Sequence, residues 1–364
     1  ALSMINILLE EGNYDRDFTR DWTTAPFLVR QDTGNFLRPQ DMGKKGDGYV
    51  VWDSIKKGFQ VYDPATLVFE SAAVEPAIKG SYNIVLPNGN KVSCQTVFEL
   101  LTQLVKEYSP EKAEGITNVP AEQVRQAARM LGNLKPLCYW TYNGIEQHTN
   151  ATQTNRALCI LYSLTGNYDA QGGNVIYPRL PTNQVRGLEF LSQEVQRKRL
   201  AAAERPLGPA GNPGAVQGNI VAQAILTGKP YPVKALVAIG GNFITANSHS
   251  VVARQALCQL DFYVHMDLYL IPSAELADIV LPAATSYEGW FVRFGFPEST
   301  RAFHHLQLRP VTVSPLHEGR PDLEAIFDLA RHLGLGDRFW GGDIKAAFNY
   351  QLAPCEINVD DLEK

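Results

Sequence analysis

Three stretches carry residue types that could do chemistry at spacings that matter. In "VAIGGNFITANS", Gly240 and Gly241 follow an apolar run, and Asn242, Thr245 and Ser248 come next. Small residues at a strand's C-terminal end let backbone N–H groups approach a diphosphate, and the polar side chains could add donors. The G-x-G-x-x-G spacing is absent, so a tight structural turn accounts for the run equally well. In "HMDLYLIPSAELADIVLPAA", Asp267 falls at a strand end roughly 25 residues beyond the glycines, where a carboxylate could accept from a ribose or a base edge, or merely cap a helix. Asp278 reads as structural. The third stretch, "YNGIEQHTNATQTNRALCILYSLTGNYDAQGGN", groups Gly144, Gln147, His148, Asn150 and Thr152 around a helix N-terminus, suited to an anion or a heterocycle edge. A lone histidine in such a place is more often structural than catalytic.

Other chemistries find no footing. The five cysteines, at 94, 138, 159, 258 and 355, are scattered without a C-x-x-C pair. That excludes a disulfide framework, a zinc knuckle and an iron–sulfur site, and the expected role is that of small buried apolar residues. His304 and His305 are adjacent in a strand-like run and should point to opposite faces, which rules out shared metal ligation. There is no H-E-x-x-H, G-x-S-x-G or P-loop. A formal net charge of −5 gives no global attraction to nucleic acid or to an anionic membrane. No apolar run approaches the roughly 18 residues of a membrane span.

The elements that must position these residues are those of an α/β chain. With 364 residues, 45% hydrophobic and 20% charged, two packed cores are affordable in length. "LSMINILLEEG" reads as a helix ending at Gly12, entered as if partway, and suggests that the chain is a piece of something longer. From about residue 27 to 95, "YVVWD", "GFQVYD" and "YNIVLPNGNKVSC" read as short strands of an antiparallel β insertion, with "PNGN" as a hairpin turn. "TVFELLTQLVKEYS" and "PAEQVRQAARMLGN" are amphipathic helices, the second with Pro120 at its first position. "KPLCYWTYNG" reads as a strand leading into a loop and the helix "TNATQTNRALCILYSLTGN". After a Gly/Pro-rich stretch that includes the helical "EFLSQEVQRKRLAAAERP", strands "VKALVAIGGN", "DFYVHMDLY" and "DIVLPAA" alternate with helices, which predicts a right-handed parallel sheet with ligands beyond its C-terminal ends. The expected organisation is a first α/β domain over 1–180 and a second, nucleotide-binding one over 181–364.

Taken in order, "LEEGNYDRDFTRDWT", "YSPEKAEGITNVPAEQVRQAARML", the 142–174 stretch, "LVAIGGNF" and "MDLYLIPSAELADIVLPAATSYEG" resemble the central region of the molybdopterin oxidoreductases, the dimethyl sulfoxide reductase superfamily. The β insertion and the tail "RPVTVSPLHEGRPDLEAIFDLARHLG" are most similar to the branch of polysulfide, thiosulfate and arsenate reductases and acetylene hydratase. The resemblance implies two Rossmann-like parallel-sheet domains with helices on both faces, each holding one molybdopterin guanine dinucleotide, with molybdenum or tungsten between the pterins. It implies that Gly240, Gly241 and Asn242 lie against a diphosphate, that Asp267 reads the guanine, and that Ser273 supports it where many relatives carry threonine. Gly144, Gln147 and His148 would line the pterin side. Thr165, Gly166 and Asn167, then Gly172, Gly173 and Asn174, would turn the chain toward the pocket.

By the same resemblance, a 4Fe-4S cluster and the metal ligand belong to a region before residue 1, and a closing barrel to one after residue 364. The expected partners are those domains and an iron–sulfur electron-transfer subunit, in a prokaryotic cytoplasm or periplasm. A chain without them should be inactive alone and prone to self-association. Two other readings stand beside this one. A non-catalytic structural paralogue would have no physical need for small residues at a diphosphate turn. An unrelated dinucleotide-binding dehydrogenase would bind NAD(H).

Overall fold

In the computed structural model, the first helix, α1 (Leu2–Glu10), sets Ile5 and Leu8 wholly out of solvent. The structure describes residues 1–176, 180–185, 191–202, 216–295 and 300–364, and the chain divides into units 1–176 and 177–364. In the first unit, α1 is the centre of a core formed with Phe98 and Val105 of α3 (Val97–Val105) and Leu161 and Leu164 of a later helix. A helix with this many apolar positions is stable because neighbours cover it, not through propensity. Gly12 takes a φ of +66° just beyond its end, as a helix stop requires. Asp15 then caps α2 (Arg16–Asp21), its Oδ1 accepting from Phe18 N at 3.0 Å.

The β insertion is present as two antiparallel three-stranded sheets. β1 (Leu28–Arg30), β5 (Ser81–Val85) and β6 (Lys91–Thr96) pair in the order β1-β6-β5, and β2 (Tyr49–Asp53), β3 (Gly58–Asp63) and β4 (Val68–Phe69) pair in sequence. Leu28, Val50, Ile84 and Val92 alternate into their shared core. The "PNGN" turn closes β5 on β6, with Leu86 N donating to Asn90 O at 2.8 Å. Val97 N donates to Phe27 O at 2.9 Å and Phe98 N to Ala25 O at 3.0 Å, so the entrance and exit of the insertion are hydrogen-bonded neighbours. α4 (Pro110–Thr117) and α5 (Ala121–Asn133) follow, and Pro120 sits at the N-cap of α5 rather than inside it.

The segment expected as a strand, from Lys135, has no ladder among the described residues. Two side-chain amides take the place of a neighbouring strand. Leu137 N donates to Asn167 Oδ1 at 3.0 Å, while Tyr139 N donates to Asn174 Oδ1 at 2.7 Å and Tyr139 O accepts from Asn174 Nδ2 at 2.9 Å. A short helix, α6 (Asn143–Glu146), then precedes α7 (Ala151–Leu164), where a loop was expected.

The second unit carries the α/β alternation in full. β7 (Ala235–Ile239), β8 (Phe262–Asp267) and β9 (Ile279–Pro282) form a parallel sheet in the order β7-β8-β9, with Leu236 opposite Tyr263 and His265 opposite Val280. α9 (Gly218–Thr227) and α11 (Ser250–Leu257) pack together through Ala222, Ile225 and Ala256. One face of the sheet, with Leu236 and Tyr263, is covered by Ile244 and Leu257. On the other, Val237, Phe262, Ile279 and Leu281 are exposed. A hairpin of β10 (Phe291–Phe294) and β11 (Leu306–Arg309) shares a further core with Phe348 and Leu352 of a C-terminal helix, Ile344–Leu352. The helix expected in "RPDLEAIFDLARHLGL" spans Asp322–His332. Of the charged helical stretch near 190, Gln193–Arg197 is helical (α8), and positions 186–190 and 203–215 lie outside the described residues.

Candidate functional site

The parallel sheet explains where the first two stretches meet. Because the crossovers return every strand in one direction, the ends of β7 and β8 are neighbours, and Gly240 N donates to Met266 O at 2.9 Å. Gly240 has a φ of +55°, which a residue with a Cβ adopts only with strain. Gly241 lies outside that region of backbone space, and a Cβ built on it would meet no described atom within 4 Å. Neither conformation nor crowding among the described residues therefore calls for glycine at 241.

Asn242 opens a one-turn helix, α10 (Phe243–Ala246), with its Oδ1 accepting from Thr245 N at 3.3 Å. The same oxygen accepts from Ser273 Oγ at 2.8 Å, and Ser273 Oγ accepts from Ile244 N at 3.0 Å. Ser273 is fully buried, so its hydroxyl locks the glycine turn to the segment after β8.

Asp267 ends β8 beside that turn. Burial pushes its carboxyl up, but this is outweighed by donors: Leu268 N at 2.7 Å, His265 Nε2 at 3.4 Å, and the N–H groups of Gly241 and Tyr269. The carboxyl is held below the usual carboxylate range. Tyr263 and His265 lie behind it, 1% and 0% exposed, with Tyr263 Oη 2.6 Å from His265 Nδ1. Burial pushes the Tyr263 phenol up to about 12. Asp278 accepts from Tyr263 N at 2.7 Å, the structural role expected of it. A cleft of about 600 Å³ opens at the C-terminal ends of the three strands, lined by Gly240, Asp267, Thr285, Trp290 and Arg309 among others. That is the size and position of a ligand site in an open α/β sheet. The Arg309 guanidinium lies 5.0 Å above the Phe291 ring, and its Nε is buried with no hydrogen-bond partner among the described residues.

Sequence reasoning missed Tyr263, His265 and Arg309. The first two had a signal: with Asp267 they stand at alternate positions of one strand, and side chains two apart share a face. Arg309 had none, since its hairpin reaches the cleft only in three dimensions.

In the first unit, Gly144 lies in α6, Gln147 at its C-cap, and His148 between α6 and α7, all exposed. Asn150 takes the N-cap position of α7 without a side-chain cap bond. The second glycine cluster serves the chain itself. A Cβ on Gly166, φ +69°, would collide with the Asp15 carboxylate, one on Gly173 with the Asn167 carbonyl oxygen, and one on Gly172, φ +81°, would lie 2.6 Å from Pro136 Cγ. Asn167 is 2% exposed, and its Nδ2 donates to Thr165 Oγ1 at 2.9 Å while its Oδ1 serves Leu137. Asn167 and Asn174, expected to turn the chain toward the pocket, use their amides to hold the 137–139 backbone. The cysteine reading is corrected, since Cys94 alone is buried and Cys138, Cys159 and Cys258 are exposed. Among the described residues no group of three or more His, Cys, Asp or Glu could hold a metal, and no helix is long and apolar enough to cross a membrane.

Comparison with known proteins places this geometry. Residues 1–332 match the molybdopterin oxidoreductase family. Dopamine dehydroxylase of Eggerthella lenta is 27% identical over 92% of the chain and 41% of its own length. The alpha subunit of dimethylsulfide dehydrogenase from Rhodovulum sulfidophilum is 27% identical over 92% of the chain and 39% of its own. The solved structure of acetylene hydratase from Pelobacter acetylenicus superposes with a TM-score of 0.68 at 20% identity, covering 100% of the chain and 43% of that protein. The chain thus spans about two-fifths of the length of these relatives. With the parallel sheet, its glycine turn and this match along most of its length, the chain belongs to the molybdopterin oxidoreductase family.

Proposed function

We propose that the chain is the central cofactor-binding region of a longer molybdenum or tungsten oxidoreductase, and that its second unit holds the guanine dinucleotide end of a molybdopterin guanine dinucleotide. The observation that carries this reading is Gly241, a glycine that packing among the described residues does not require, beside a carboxylate held by Leu268 N and His265 Nε2. A backbone turn without Cβ atoms admits a diphosphate to its N–H groups, and a held carboxylate accepts from a base edge. Arg309 adds a positive charge to the same cleft. In the first unit, Gly144, Gln147 and His148 are exposed donors and acceptors suited to a pterin.

Bound, the cofactor would supply redox chemistry at its metal. The chain's part is to orient the nucleotide end. Turnover on this reading belongs to the longer parent, with its metal ligand, iron–sulfur cluster and electron-transfer partner. The test is isolation of the full-length parent without oxygen. Molybdenum or tungsten by mass spectrometry, together with GMP released by acid hydrolysis, is the expected result; absence of both metal and pterin overturns the reading.

A pH dependence follows from Asp267. Its folded pKa is depressed, so the carboxylate is present throughout the neutral range and is lost only as pH falls through that depressed value. The part of the affinity that Asp267 supplies should be unchanged across the neutral range and be lost only below the ordinary carboxylate range. Guanosine, which lacks the GDP phosphate that ionises at about pH 6, is the ligand that isolates it. Isothermal titration calorimetry across this range checks it, and a fall centred near neutrality would show that another group governs binding.

A further inference from the structure

We infer that Tyr263 and His265 form a buried hydrogen-bonded strut that fixes the Asp267 carboxylate as a two-oxygen acceptor, and so set base specificity from behind without touching the ligand. The inference rests on the placement of a nucleotide base at Asp267 proposed above, and it assigns to two residues a role that the bound ligand alone would not reveal.

The argument starts from the strand. Residues 263, 265 and 267 of β8 share one face of the sheet, so their side chains stand in a row along it. Tyr263 Oη lies 2.6 Å from His265 Nδ1, and His265 Nε2 lies 3.4 Å from Asp267 Oδ2. An ionised carboxylate can only accept, so Nε2 must carry a hydrogen. With Nδ1 as the acceptor of a neutral ring, the Tyr263 O–H donates to it, and every polar atom in the row has a partner. A doubly protonated ring would turn the phenol oxygen into an acceptor and leave its hydrogen stranded in a buried position, which is costly. The row therefore has one direction: Tyr263 to His265 to Asp267.

The other carboxylate oxygen, Oδ1, is taken by Leu268 N at 2.7 Å. Each oxygen is thus pinned by a different donor, one from the strut and one from the backbone, which sets the plane of the carboxylate. Its side chain is 15% exposed, enough to present the remaining lone pairs outward. A carboxylate whose plane is fixed favours a ligand edge with two adjacent N–H donors. Guanine offers such an edge in N1–H and the 2-amino group, hypoxanthine keeps only one of the two donors, and adenine turns an acceptor toward it. Without the strut, Oδ2 is free to rotate away, and the second hydrogen bond is the one lost.

Calorimetric titration of the purified chain with GDP, IDP and ADP tests this in the wild type and in Tyr263→Phe, His265→Leu and His265→Gln. The wild type should prefer GDP over IDP by about tenfold or more, the worth of one hydrogen bond to a charged group. Tyr263→Phe, which keeps the ring and its packing, and His265→Leu should each cut that ratio to about threefold or less. His265→Gln, which presents an amide N–H where Nε2–H stood, should restore it. A ratio that survives in folded Tyr263→Phe overturns the strut while leaving the nucleotide at Asp267. A wild type with no preference for GDP overturns that placement and the strut with it. The ¹⁵N shifts of His265 give a readout independent of binding: the Nε2–H tautomer is expected, and the Nδ1–H tautomer would overturn the inference.

Discussion

Replacing Gly241 with valine should weaken GDP binding by about 100-fold while leaving the thermal unfolding midpoint of the chain almost unchanged. The two halves of this result have separate causes. A Cβ at 241 meets nothing in the described chain within 4 Å, and the backbone there is outside the left-handed region, so the fold should change by no more than about 0.5 kcal/mol. A ligand lying on the turn would instead be met by three methyl and methine carbons, with an overpacking penalty of about 1–3 kcal/mol. Gly240→Val is the contrasting control, since its φ of +55° makes the substitution strained whether or not a ligand binds. Calorimetry for binding and scanning calorimetry for stability decide the matter. Undiminished GDP affinity in Gly241→Val would mean that the turn is structural and that the nucleotide does not lie on it.

Gly173→Ala should do the reverse, lowering stability by about 1–3 kcal/mol, which is several degrees in Tm. The added methyl collides with the Asn167 carbonyl oxygen, a backbone atom that cannot swing aside. That carbonyl accepts from Tyr162 Oη at 2.6 Å and from Asn174 N at 3.2 Å, and Asn167 and Asn174 are the residues that hold 137–139. The strain should reach the amides rather than stay at residue 173. Hydrogen exchange should show loss of protection at Leu137 and Tyr139 ahead of α7, which Leu161 and Leu164 anchor in the core around α1. Wild-type protection at Leu137 and Tyr139 would refute this account of the cluster.

The parts of the fold that announce themselves in the sequence are those whose partners repeat a period. β7, β8 and β9 with their intervening helices follow from apolar runs punctuated by glycine, and the insertion from short alternating strands with a "PNGN" turn. The segment after Lys135 has the composition of a strand, yet its hydrogen bonds go to two amide side chains some 30 residues away, and no local pattern encodes that. The candidate site divides in the same way. Gly240, Gly241, Asn242, Asp267 and Ser273 stand in two short stretches, and the structure brings them together by hydrogen bonds from Ser273 to Asn242 and from Gly240 N to Met266 O. Asn167 and Asn174, placed near the pocket by the resemblance alone, serve backbone groups in the structure, as polar side chains in a glycine-rich turn are apt to do.

The insertion between Phe27 and Val97 meets itself at a single doorway, where Val97 N and Phe27 O are joined, and it lends the helical core around α1 one apolar side chain, Ile78. An excursion whose two ends coincide adds little to the loop-closure entropy of the surrounding fold, however long it becomes. Its length and surface are therefore nearly uncoupled from the stability of the helices that frame it, and the region is a place where the chain can acquire or shed material without refolding its neighbours.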